Sequence, residues 1–193
     1  MRIALLGTSD VDVCALAQPT MAAAAADLGE AVFLSRFRGS GVEIIHVETP
    51  RDPTRSYVHP GLGFRPMHAC SCSKAIAAFA DDAFRNEILA GPMRAYTEHT
   101  LQSADALRTE FLSILTTGYA SCVEEIEVGV ASVAAAIHVG DIGAPFSVGA
   151  TGPIRRLTPE RRVEIGQILT GCADKIASGL RLHAPKEKAV AGA

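Results

Sequence analysis

Two β-rich runs, Ala31 to Phe37 and Val42 to Glu48, flank the tetrapeptide Arg38-Gly39-Ser40-Gly41. Its glycines supply the positive φ that a tight hairpin requires, so the runs are expected to pair antiparallel and the rest of the chain to be arranged around that sheet. A third short strand is expected over Ser56 to His59, limited by Pro53 and Pro60. Before the hairpin, Val11 to Leu28 reads as an alanine-rich helix, capped by Asp10, with Pro19 in the first turn of its main part and Gly29 as its stop. After it, Asp81 or Asp82 starts a short helix that runs to Leu89, and Gly91-Pro92 ends it. Ser103 caps a helix in which Leu107, Phe111, Ile114 and Leu115 recur at helical spacing, and Gly118 closes it. Tyr119 to Cys122, Val130 to Val139 and Phe146 to Thr151 read as extended. The last two lack strong alternation, which suits strands covered by helices. Thr158-Pro159-Glu160 opens a final helix with Ile165, Ile168, Leu169, Cys172 and Ile176 on one apolar face. This order of elements is that of an α+β domain with an antiparallel sheet.

With 193 residues, 48% of them hydrophobic and 20% charged, the chain suffices for one well-filled core. The formal net charge is -3 and there is no run of Lys and Arg, which argues against this polypeptide holding DNA by itself. The longest alanine-rich apolar run, Met21 to Ala26, is far short of a membrane span, so no membrane association is expected. The first seven residues carry too short an apolar run for a secretory signal, and a reducing, cytoplasmic compartment is expected. Cys14, Cys70, Cys72, Cys122 and Cys172 are odd in number and scattered, and read as free thiols.

The stretch from Pro66 to Phe79 passes from a turn, marked by Pro60, Gly61, Gly63 and Pro66, into a helix of small and apolar residues. Backbone N–H groups without acceptors and a partial positive charge gather at such a helix start, which suits a small acid. The same pattern fits an ordinary capped helix whose cysteines fill the core. Two other chemistries can be drawn from it. One is a cysteine-based hydrolase or transferase, in which Cys70 or Cys72 is activated at the helix start with His68 nearby; no nucleophile elbow and no orienting acid accompany it. The other is a metal or redox sensor that uses His68, Cys70 and Cys72, whose spacing departs from that of paired zinc ligands.

Three stretches together resemble the effector-binding domain of the IclR family of bacterial transcriptional regulators. They are Met67-His68-Ala69 followed by Lys74-Ala75; Gly118-Tyr119 followed by Glu124-Glu125 and Val128-Gly129-Val130; and Thr151-Gly152-Pro153-Ile154 followed by Arg156-Leu157-Thr158. Glu30-Ala31-Val32 and Ala95-Tyr96-Thr97 add support. The resemblance implies a GAF-like fold with an about six-stranded antiparallel sheet flanked by helices. It also implies a sensor that is not an enzyme, needs no cofactor or metal, and self-associates as a dimer or tetramer. DNA would be reached only through a winged helix-turn-helix domain not present in this chain. Residues 1–10 would then be the end of a linker, 11–184 the effector-binding domain and 185–193 a flexible tail.

Carried over from that resemblance, the ligand-binding positions are the backbone at Ser71 and Cys72, the position of Cys122 or Val123, then Ser132, Gly149 and Thr151. Amides and hydroxyls so placed can hold a small organic or aromatic carboxylate. The chain departs from the family pattern at several of them: serine for glycine at Ser71 and Ser73, a neutral pair at Cys122-Val123 in place of acids, Ser132 for a cysteine, and no side chain at Gly149. Without the resemblance, Ser132 and Thr151 read as hydroxyls satisfied locally, His68 as a structural residue bonded to a backbone carbonyl, Glu124 and Glu125 as structural or solvated, and Lys74 as a surface or ion-pair residue.

Overall fold

The structure is a computed structural model and describes residues 9–39, 41–52, 60 and 63–183. The expected strand at Ser56 to His59, Ser40 of the hairpin turn, most of the first ten residues and the tail beyond His183 lie outside the described residues. In chain order the elements are α1 (Asp10–Leu28), β1 (Ala31–Arg38), β2 (Gly41–Glu48), α2 (Ser71–Ala78), α3 (Asp82–Ala90), α4 (Ala104–Thr117), β3 (Tyr119–Val123), β4 (Val130–Ile137), β5 (Phe146–Pro153) and α5 (Pro159–His183). A single 3-10 turn, Gly140–Ile142, joins β4 to β5.

Five strands form one antiparallel sheet in the order β2-β1-β5-β4-β3. The expected hairpin is present, with Phe37 opposite Val42 and Arg38 opposite Gly41. Helices cover both faces, which explains the weak alternation of β4 and β5. One layer packs α1 and α5 on Val32, Leu34, Val133, Ile137, Val148 and Ala150. The other packs α2 and α4 on Ala31, Phe33, Ala120, Ala134 and Ala136. Alanines on the sheet and along α1 let the helices come close; Gly179 of α5 has Leu16 of α1 where a Cβ would stand.

The helix boundaries follow local chemistry. Ser9 caps α1 by accepting from the Asp12 amide at 3.2 Å, a place the sequence assigned to Asp10. Asp10 is instead the first helical residue, and its carboxylate pairs with Arg36 at 2.7 Å and with Arg38. Gly29 and Gly118 end α1 and α4 in the left-handed conformation, with φ of 66° and 85°. Pro19 lies inside α1, not in a first turn, on its exposed side. There the Ala15 carbonyl that loses its donor can turn to water, while the opposite side holds the helix to α5. Leu115 and Ile168, placed on apolar faces by spacing, are 43% and 37% exposed, because the stripes of α4 and α5 that meet the sheet are narrower than the runs of apolar residues.

Candidate functional site: the sheet face beneath the start of α2

Register places Cys122 opposite Ser132, and Ser132 opposite Thr151, so three short polar side chains form a row across β3, β4 and β5. Gly149 stands in the next row, between Ala134 and Phe33. The first turn of α2 lies on this face. The Ser71 and Ser132 hydroxyls share a hydrogen bond at 2.7 Å, and Ser147 Oγ donates to the Cys72 carbonyl at 3.4 Å. Thr151 Oγ1 donates to the Ala131 carbonyl at 3.2 Å, the local satisfaction expected of a strand threonine. All six residues expected at the site therefore lie under or in the start of α2. Ser71 and Ser132 touch, whereas Thr151 is turned to its neighbouring strand. At Gly149 a Cβ would stand 2.3 Å from the Phe33 ring, so the aromatic ring occupies the space of the missing side chain.

Cys70 is the N-cap of α2 and offers no oxygen to cap it. The amides of the first turn thus lack the usual side-chain acceptor. The Cys72 thiol donates to the Cys70 sulfur at 3.5 Å and, together with the Arg65 guanidinium beside it, brings Cys70 down to about 6 against its burial. Its donation to Cys70, with burial, pushes Cys72 well above the ordinary thiol range. Burial, reinforced by Cys70 and Glu125, pushes Cys122 up to about 12 and keeps it a neutral thiol. All five cysteines are free, and only Cys14 is not buried. Arg65 was missed by sequence reasoning, which saw only a turn there. Its signal was present, since it is the single Lys or Arg between Pro60 and Ser73.

Lys74, one turn into α2, is 1% exposed and not on the surface. Its ammonium meets Glu125 at 2.7 Å and Glu110 at 3.0 Å. Thr100 Oγ1 donates to the Glu125 carbonyl and Thr97 Oγ1 to that of Glu124, both at 2.6 Å, which pins the β3–β4 connection against the segment before α4. His68 Nε2 is bonded to the Arg94 carbonyl at 2.9 Å, and its ring stacks on Tyr96. Among the described residues no hydrogen bond joins His68 to Cys70 or Cys72. No group of three or more His, Cys, Asp or Glu among the described residues is disposed to hold a metal.

A separate cavity of about 1180 Å³ opens beside α2 and α3. Phe37, Ile76, Phe79, Phe84 and Ile88 make its apolar wall, and His68, Arg94 and Tyr96 its polar rim. None of the six expected site residues lines it.

Residues 6–178 match the family model described as the bacterial transcriptional regulator IclR C-terminal. The glycerol operon regulatory protein of Streptomyces griseus is 32% identical over 154 residues, 79% of this chain and 60% of that protein. The HTH-type transcriptional repressor AllR of Escherichia coli K12 is 32% identical over 127 residues, 64% of this chain and 46% of the repressor. The chain thus spans about 60% of the Streptomyces relative's length. Among solved structures, IclR of Thermotoga maritima superposes with a TM-score of 0.80 at 23% identity, covering 88% of this chain and 69% of that one. An IclR homologue from Microbacterium hydrocarbonoxydans, complexed with 4-hydroxybenzoate, gives 0.79 at 23% identity, covering 94% and 73%. An antiparallel sheet of this strand order with helices on both faces, matched over nearly the whole chain by one family model, leaves a single assignment: the chain belongs to the IclR C-terminal family of bacterial transcriptional regulators.

Proposed function

We propose that the chain is the effector-binding domain of an IclR-type regulator, that its effector is a small organic or aromatic carboxylate, and that Ser71, Cys72, Cys122, Ser132, Gly149 and Thr151 form the binding site. The observation that carries the reading is the Ser71–Ser132 hydroxyl pair, buried at 2.7 Å between the start of α2 and the sheet. Each of these hydroxyls can reorient from the other to a ligand oxygen at the cost of one neutral bond, and a charged acceptor repays more than that. Cys122, held neutral, can serve only as a weak donor there.

In this reading residues 11–184 act as a sensor. Their effector shifts the balance between two arrangements of a dimer or tetramer and, through a linker, that of a DNA-binding domain in the cytoplasm. The shift can be no larger than the difference in effector affinity between the two arrangements.

Thermal denaturation with a panel of organic acids, 4-hydroxybenzoate among them, tests the proposal. An acid present at a hundred times its Kd should stabilise the fold by about 2.7 kcal/mol. For a domain of this size that is a rise in Tm of roughly 5–10 °C. Ser132→Val should abolish the rise. No stabilisation by any acid, or an undiminished rise in both Ser132→Val and Thr151→Val, would overturn the assignment.

A further inference from the structure

We propose that Arg65 is the docking cation for the effector's carboxylate, which takes the buried Nε–H of its guanidinium. The inference deepens the site reading above and rests on it for the word effector.

Three observations lead there. Arg65 Nε is buried and has no hydrogen-bond partner among the described residues. A guanidinium N–H in that condition forfeits a hydrogen bond that water would otherwise supply, and native structures seldom leave one so. Second, the buried cations are matched by acids, Lys74 by Glu125 and Glu110, and Arg36 by Asp10, whereas Arg65 is half-buried. Among the described residues no carboxylate pairs with Arg65, which faces Cys70, Cys72 and Cys122 instead. Third, the Arg65 backbone is fixed on both sides. Its amide donates to the Val42 carbonyl at 2.7 Å, and its carbonyl accepts from Ser73 Oγ at 3.4 Å. The side chain is thus anchored between the sheet edge and the first turn of α2. A carboxylate arriving beside Cys70 would meet the guanidinium, the amides that open α2 and the Ser71 hydroxyl together, whereas a neutral amide would lose the ionic share of each contact.

Cys70 makes the site testable without knowledge of the natural ligand. Iodoacetate and iodoacetamide alkylate a thiolate by the same displacement: sulfur attacks the CH2 carbon, the C–S bond forms and iodide leaves. They differ in that only iodoacetate carries a carboxylate. Ordinary protein thiols react faster with the neutral reagent. Here iodoacetate should modify Cys70 faster, by on the order of tenfold, and with a rate that saturates as the reagent fills the site. The position of the adduct is read by peptide mass spectrometry. Arg65→Gln should restore the ordinary preference for iodoacetamide, and Arg65→Lys should retain part of the inverted one, which loss of packing alone would not explain.

Iodoacetamide leading at Cys70 in the unaltered protein, or neither reagent reaching Cys70, would overturn the role of Arg65. The two readings fail separately. Organic acids that stabilise the protein equally well in Arg65→Gln keep the effector site and remove Arg65 from it. An iodoacetate preference in a protein that no acid stabilises keeps Arg65 as an anion site and removes the effector.

Discussion

Lys74→Met is expected to destabilise the domain by about 3–5 kcal/mol, the loss associated with removing one partner of a buried ion pair. The ammonium is enclosed between α2, α4 and the β3–β4 connection, 1% exposed, with carboxylate oxygens at 2.7 and 3.0 Å. Without it Glu125, 9% exposed, would retain a charge with no partner, and its Oε2 already lacks a hydrogen bond among the described residues. Burial raises the Glu125 carboxyl from its ordinary value even with Lys74 beside it, a sign of how poorly the site would tolerate the carboxylate alone. The cost should therefore fall when the acids are neutralised: Lys74→Met with Glu110→Gln and Glu125→Gln should recover most of the loss, because no buried charge is then left over. Urea denaturation at constant m-value measures both variants. A loss under about 1 kcal/mol in the single variant would contradict the burial described here. For Lys74 itself, burial is outweighed by Glu125 and Glu110, which hold the ammonium above its ordinary pKa. A group raised in the folded state contributes stability below its unfolded pKa. That contribution is lost as pH climbs from the ordinary lysine value, 10.5, through the higher folded one.

Glu30→Gln is the second large effect, about 2–4 kcal/mol by the same reasoning, lessened because Arg156 is 24% exposed. Arg156 donates its Nε and Nη2 to the two oxygens of Glu30 at 2.5 and 2.6 Å, across 126 residues of chain. The pair ties the start of β1 to the turn after β5. Room for it comes from Gly152, where a Cβ would stand 2.5 Å from Glu30 Oε2. Arg156→Lys keeps the charge but not the fork, and should lose an appreciable part of the same energy. The midpoint of urea unfolding at unchanged m-value checks both. Equal stability of Arg156→Lys and the unaltered protein would show that the two-pronged geometry contributes nothing.

These two clusters also explain why short, separated motifs identified the family when none was informative alone. Glu30 and Arg156 belong to different stretches of the resemblance and meet in space, as do Lys74 and Glu125. His68 of the first stretch likewise packs on Tyr96 of another. The sequence displayed one half of each contact at a time. Caps, glycine stops and the hairpin were legible because they depend on a few neighbouring residues: Ser103, Asp81, Gly29 and Gly118 act where they were expected. What escaped depended on distant partners. Lys74 reads as either a surface or an ion-pair residue until two glutamates arrive from α4 and the β3–β4 connection and show it to be the second, buried, and Pro19 is tolerated because the far side of α1 packs on α5. The empty position at Gly149 became intelligible only with Phe33 above it. Arg65, in a stretch whose glycines and prolines announced a turn, revealed its role only through the thiols that α2 and β3 bring to it.

The ligand is proposed to enter between the start of α2 and the Cys122–Ser132–Thr151 row, not into the cavity beside α2 and α3. Backbone amide NMR during titration with an acid that stabilises the protein decides between them. The largest shift changes are expected at Ser71, Cys72, Ser132 and Thr151, diminished in Ser132→Val. Changes concentrated at Phe79, Phe84, Ile88 and Tyr96, with the α2 start unmoved, would contradict it.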